Sequence, residues 1–319
     1  AQQICLVGIV FYGVFLVSEG TVSMGGMVAA VLLSSRTLAP LAQIANLFGR
    51  ANNAKTSYKR LASFMEETQE DDVSVKNKGA IRREKLGSIE FKDTTYRYPE
   101  ADLDTLRSIN LSVNEGEKVA ILGRNGSGKS TLMKLASGLF KASDGLVMYD
   151  GVDIKQLHTD DLSKSIGIVL QDVQLFSGSI RENITMGRED INQDDLINAG
   201  KLSGLDDFVS KIPGGYDLQL SDGGKGLSGG QRQSIALARA IVHKPTHFIL
   251  DEPTSAMDMN AENIFISQMG SIMQDSTMLI VTHRMPLLNL VDRIIVMNEG
   301  QIVEDGPKEE IINKLNQPR

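Results

Sequence analysis

The balance of apolar and polar positions changes once along this chain. Residues 1 to 18 carry no charged side chain and neither do residues 20 to 35, whereas beyond about residue 86 charged and apolar positions intermix. Ile4 to Val17 is an apolar run of about fourteen residues, closed by the polar turn Ser18-Glu19-Gly20-Thr21; a second uncharged stretch runs from Val22 to Ser35 and past Arg36 to Leu47. A bilayer core needs about twenty apolar residues. The first run alone therefore reads as a buried core helix or as part of a membrane helix. The second run, beyond a tight turn, favours a membrane hairpin, and Gly25-Gly26 and Ala29-Ala30 suit close helix packing there. Leu41, Ile44, Leu47 and Phe48 keep helical spacing, so the second helix should continue over Ala39 to Met65.

Glu66 to Lys85 is polar and reads as a solvated linker. After it, short apolar runs at Val119–Leu122, Ile166–Leu170, Phe248–Leu250 and Thr277–Thr282 predict buried parallel strands, and Thr131–Ser137 predicts a helix. Three segments are expected: 1–65 as membrane helices, 66–86 as linker and 87–319 as an α/β domain.

The chemistry lies at the ends of the predicted strands. Gly123-Arg124-Asn125-Gly126-Ser127-Gly128-Lys129-Ser130 follows a strand and precedes a helix, fitting the phosphate-binding pattern G-x-x-x-x-G-K-[ST]. Its glycines turn backbone N–H groups inward, and the helix that continues through Thr131 adds positive potential. Lys129 would meet the β/γ-phosphates and the Ser130 hydroxyl would ligate Mg²⁺. Phe248 to Glu252 should bring Asp251, on the neighbouring strand, to this loop as a second Mg²⁺ contact, with Glu252 polarising the attacking water. His247, at the entrance of that strand, reads as structural. His158 and His243 match no motif and read as surface residues. The aromatic residues Phe91, Tyr96 and Tyr98, which alternation sets on one strand, are candidates for a flat adenine platform.

A second glycine motif, Leu227-Ser228-Gly229-Gly230-Gln231, should open a helix and offer its N-terminus to an anion. With the phosphate loop about a hundred residues upstream, it makes residues 88 to 315 resemble the ATP-binding cassette (ABC) proteins. The resemblance implies a P-loop NTPase with a helical subdomain. It implies that Gln171 reaches Mg²⁺ and water, that His283 contacts the γ-phosphate, and that Tyr98, just before Pro99, is the adenine platform, with Tyr96 left to the core. It implies that Asp258 lies in a loop between two sites, with Met257 where Leu is usual, and that Asp222 stands in for a glutamate touching the partner's membrane loops. Ser228 to Gln231 would face ATP held by a second copy, packed head to tail. A hairpin preceding the ATPase is the exporter arrangement, and residues 18–47 with 170–187 look like bacterial type I protein-secretion ATPases. That group works as a homodimer with a periplasmic adaptor and an outer-membrane channel to export a secreted protein. A lipid or drug/peptide exporter, and a soluble ABC ATPase acting on nucleic acid or ribosomes, are the alternatives.

Composition narrows the picture. The net charge of −7 argues against a nucleic-acid partner, and the single Cys5 cannot form an internal disulfide, which suits a reducing compartment. Arg36, Arg50, Lys55, Lys59 and Arg60 follow the second apolar run, while the turn holds only Glu19. The expected setting is a bacterial inner membrane with the ATPase in the cytoplasm. The amino end lacks both Met and a basic segment and does not read as a signal peptide.

Overall fold

The computed structural model describes residues 2–70 and 79–316. The chain divides into two compact units, Ala1–Asp72 and Val73–Arg319. The first contains α1 (Gln2–Ser18) and α2 (Met24–Glu70), joined by the expected turn. Gly13 permits their close approach, since a Cβ there would lie 2.8 Å from Cγ of Met27. Among the described residues no helix is long and apolar enough to cross a membrane. At 1.5 Å per residue, the 17 residues of α1 span only about 26 Å. The 47 residues of α2 include Pro40 and become polar beyond Phe48.

Elements of the second unit follow in chain order. Its strands are β1 (Ile89–Tyr96), β2 (Leu106–Val113), β3 (Lys118–Gly123), β4 (Asp144–Tyr149), β5 (Val152–Asp153), β6 (Ile166–Val169), β7 (Gly178–Ser179), β8 (Gln219–Leu220), β9 (His247–Asp251), β10 (Thr277–Val281), β11 (Arg293–Asn298) and β12 (Gln301–Pro307). Its helices are α3 (Lys129–Ala136), α4 (Thr159–Ser165), α5 (Ile180–Thr185), α6 (Gln193–Leu202), α7 (Asp206–Val209), α8 (Gly229–Ile241), α9 (Met259–Ile272) and α10 (Lys308–Asn316).

A six-stranded sheet of order β12-β11-β3-β10-β9-β6 forms the centre, with β12 as its antiparallel edge. Strand periodicity sends successive side chains to opposite faces. Ala120, Phe248, Leu250, Met278, Ile280 and Ile294 accordingly join one core with α5, α6, α8 and α9. Val119, Ile121, Ile249, Leu279, Val281 and Ile295 join a second core with α3 and the antiparallel sheet β2-β1-β4-β5. Both faces are covered, so these strands are continuously apolar, as the runs in the sequence predict.

Two expectations change. β10 lies between β3 and β9, so Asp251 is not on the strand beside the phosphate loop. Its side chain instead reaches the start of α3, where it bonds the Ser130 hydroxyl. In β1, Asp93 adopts φ 44° at a register shift, and this bulge resets the alternation. Phe91 and Tyr96 are therefore both buried although an odd number of residues apart, and Tyr98 lies beyond the strand end.

Of the linker expected over 66–86, residues 66–70 complete α2 and 71–78 lie outside the described residues. The remainder packs down. Ile81 bridges Leu157, the Arg83 N–H donates to Asp161, and Leu86 is in the core.

Candidate active site

Parallel strands of a sheet share one carboxyl edge, and ligands of α/β folds bind there. Here β3 runs into the glycine loop, β6 ends just before Gln171, β9 runs into Asp251 and Glu252, and β10 ends just before His283. All four converge on one cavity of about 610 Å³, which Asn125, Gly126, Gly128, Lys129, Ser130 and Thr131 line from the loop side. That volume lies within the roughly 300–1,000 Å³ of small-molecule sites. Thr105, just before β2, lines it as well; it belongs to no motif, and nothing in the sequence signalled it.

The loop is shaped around its lysine. Lys129 is almost wholly buried and its Nζ donates to the carbonyls of Gly123 (2.8 Å) and Arg124 (3.0 Å). Burial lowers its pKa, opposed by the Asp251 and Glu252 carboxylates. The Ser127 N–H closes a turn onto the Arg124 carbonyl. Gly126 and Gly128 adopt φ +82° and +96°, left-handed conformations of the kind from which anion-binding nests of backbone N–H groups are built. A Cβ at Gly126 would meet nothing within 4 Å, whereas one at Gly128 would lie 2.6 Å from Leu106 Cδ2.

Opposite the lysine stand the acids. Asp251 is 2% exposed, and burial raises its pKa against a hydrogen bond from Ser130. Glu252, at φ 50°, holds a left-handed backbone conformation that costs a non-glycine residue about 1–2 kcal/mol. Its N–H donates to Val281 O, and its carboxylate lies 3.7 Å from Nε2 of His283. The donor set toward a cation is a hydroxyl, a carboxylate and an amide oxygen, all hard oxygens that suit Mg²⁺. Among the described residues no cluster of three or more His, Cys, Asp or Glu could hold a metal by itself. A cation here must therefore draw further ligands from phosphate and water. With one buried cation on a left-handed glycine loop and hard oxygen donors opposite, the residues fit a polyphosphate–Mg²⁺ pair.

Tyr98 stands at the flank and does not line the cavity. Its hydroxyl lies 3.1 Å from Thr131 Oγ1, and its ring packs edge-on against Tyr96 and Phe140. Ser228, Gly229, Gly230 and Gln231 also lie outside the cavity of their own chain. Ser228 caps α8 with a reciprocal Gln231 bond, and Asp258 caps α9 by accepting from Ala261 N–H. Buried Met257 fills a core position.

Three histidines resolve differently. His247 is structural, as expected: Nε2 donates to Gly87 O (2.6 Å) and Nδ1 accepts from Thr246 Oγ1. His243 is half-buried. It lines a second cavity of about 530 Å³ beside Val169–Gln174, with its pKa lowered by burial. His158 is half-buried and caps α4.

Sequence reasoning missed the supports of the 252–258 loop. Gln233 bonds it from α8, while Arg284 donates to Ser255 O and Met257 O and pairs with buried Glu262, which also accepts from Thr254. A signal was available for Gln233: it is polar on a helix stripe whose next members, Ala236, Leu237 and Ala240, are apolar and buried.

Comparison with known proteins agrees with this geometry. The family profile described as "ABC transporter" matches residues 106–255. The leukotoxin export ATP-binding protein LtxB of Aggregatibacter actinomycetemcomitans is 36% identical over 98% of this chain and 43% of its own length. The toxin RTX-I translocation ATP-binding protein of Actinobacillus pleuropneumoniae is 38% identical over 99% of this chain and 44% of its own. The chain thus spans less than half the length of these curated relatives. A solved bacterial Atm1-family ABC exporter with ATP bound superposes with a TM-score of 0.70 and 26% identity, covering 99% of this chain and 55% of that one. The cavity with its phosphate loop, the strand-end carboxylates, the helix-opening Leu227–Gln231 motif and these likenesses together mean that the chain carries an ATP-binding cassette (ABC) transporter domain.

Proposed function

We propose that this chain supplies the ATP-hydrolysing machinery of a bacterial exporter working by type I protein secretion. The observation that carries the reading is the convergence of Lys129, Ser130, Gln171, Asp251, Glu252 and His283 on one cavity. Lys129 and the loop N–H groups bind and orient the triphosphate of ATP, with Tyr98 beside the adenine. Ser130, Gln171 and Asp251 would hold Mg²⁺, which when bound neutralises charge on the phosphate oxygens. Among the described residues, Glu252 and Asp251 are the carboxylates that line the cavity. Glu252 orients and deprotonates water, and His283, next to it, holds the γ-phosphate side.

Ser228, Gly229, Gly230 and Gln231 complete the site of a second copy, with Asp258 near the junction. The support is that these residues lie outside their own chain's cavity at the N-terminus of a 13-residue helix. The hairpin α1–α2 belongs in the lipid bilayer of the inner membrane. Ile4, Phe11 and Phe15 of α1 are 78%, 82% and 58% exposed, and so large an apolar surface calls for lipid or partner helices. A periplasmic adaptor, an outer-membrane channel and a secreted protein substrate follow from the likeness to toxin-export proteins. In Glu252→Gln, ATP affinity should persist while turnover falls at least about a hundredfold. Unchanged turnover in a coupled phosphate-release assay would remove Glu252 from this role.

A further inference from the structure

We propose that Gln233 is a positioning residue for hydrolysis: its amide fixes the backbone that aims Glu252. The inference rests on the reading of Glu252 as the group that activates water. Gln233 lines no part of the cavity and is 3% exposed on the inner side of α8. Its Nε2 donates to the Glu252 carbonyl (3.1 Å) and its Oε1 accepts from the Ala256 N–H (3.2 Å). A carbonyl only accepts and an N–H only donates, so these two partners dictate the amide's orientation.

What the amide holds is a strained turn. Glu252 sits at φ 50°, a conformation that persists only where surrounding bonds over-determine it. Those bonds are its N–H to Val281 O, its carbonyl to the Ser255 N–H, and that same carbonyl to Gln233. The Ser255 bond lies inside the turn and moves with it. The Val281 bond ties the turn to β10, and the Gln233 bond ties it to α8. Without Gln233 the Ala256 N–H loses its acceptor and the carbonyl end of Glu252 loses its external anchor. The peptide can then rotate and swing the carboxylate away from the position opposite Lys129. A misplacement of about 1 Å from such a change can cost about a hundredfold in rate without altering substrate binding.

The test uses the complete protein, with Gln233→Met as the variant because it keeps length and flexibility but removes donor and acceptor. The expected result is a kcat at least about tenfold lower with KM for ATP within about twofold, since the lost contact acts on the transition state and not on ground-state binding. A wild-type kcat, or a loss confined to KM, overturns the proposal. Should Gln233→Met fail to fold by circular dichroism, Gln233→Glu is read by the same criteria. It keeps the acceptor for Ala256 and, when ionised, lacks only the donor to Glu252. A Glu252→Gln control that turns over ATP like wild type would instead strike the underlying reading, and so separates the two failures.

Discussion

Gly128→Ala tests whether the phosphate loop is clamped by its surroundings or only by its own turns. At Gly128 the backbone has φ +96° and ψ 4°, and a Cβ would fall 2.6 Å from Leu106 Cδ2 and 3.1 Å from Thr105 O. Carbon atoms in contact prefer about 3.5–4.0 Å, so the methyl overlaps Leu106 by about 1 Å. Leu106 is fully buried and cannot step aside. The left-handed backbone costs alanine about 1–2 kcal/mol and overpacking a further 1–3 kcal/mol or so, together roughly 2–5 kcal/mol. In a unit of this size each kcal/mol lowers Tm by about 2–4 °C, giving a drop on the order of 4–20 °C. The internal control is Gly126→Ala, whose φ is +82° but whose Cβ meets nothing. It should bear the backbone cost alone. Differential scanning calorimetry without nucleotide reads both. A Gly128→Ala protein melting no lower than Gly126→Ala would refute the claim that Leu106 and Thr105 press on the loop.

Lys129→Ala should abolish productive ATP binding, because one unit charge about 4 Å from phosphate contributes on the order of 4 kcal/mol at an effective dielectric near 20; normal affinity in a fluorescent-nucleotide titration would contradict it. Ser228→Arg should leave each copy able to bind ATP yet prevent closure, and mixed dimers with Lys129→Ala should regain one working site. Mixed assemblies no more active than either parent would count against head-to-tail sharing. His247 is held neutral, its pKa lowered by burial. The unfolded chain therefore binds the extra proton first, and stability is complete above the ordinary histidine value of about 6.5 and lost as pH falls toward the folded one. His243 titrates in the same sense. Between pH 7.5 and 5.5 the Tm of His247→Gln should fall less steeply than that of wild type, and equal slopes would show that His247 is not the source.

The domain was readable at the level of its strands because both faces of the central sheet are covered, which makes each strand a continuous apolar run. The phosphate loop was readable because its backbone geometry restricts which residues can occupy it. Reading failed where an element's neighbour mattered. Nothing local says that β10 intervenes between β3 and β9, since the order of strands in a parallel sheet depends on where the long crossover connections pack and not on the strand's own residues. The bulge at Asp93 that buries both Phe91 and Tyr96 was equally hidden, because Asp93 is an ordinary polar residue until its φ is known.

By itself the sequence determined the chemical parts and their local frames: the lysine loop between a strand and a helix, two adjacent acids at a strand end, and the serine-capped helix of Leu227–Gln231. Each depends on contacts between near neighbours, which a one-dimensional pattern records. Only the tertiary structure decided which strand ends meet at one cavity, that Tyr98 flanks it, and that Gln233 and Arg284 hold the turn bearing Glu252. Those contacts join residues far apart in the chain, through hydrogen bonds and packing that no local spacing encodes.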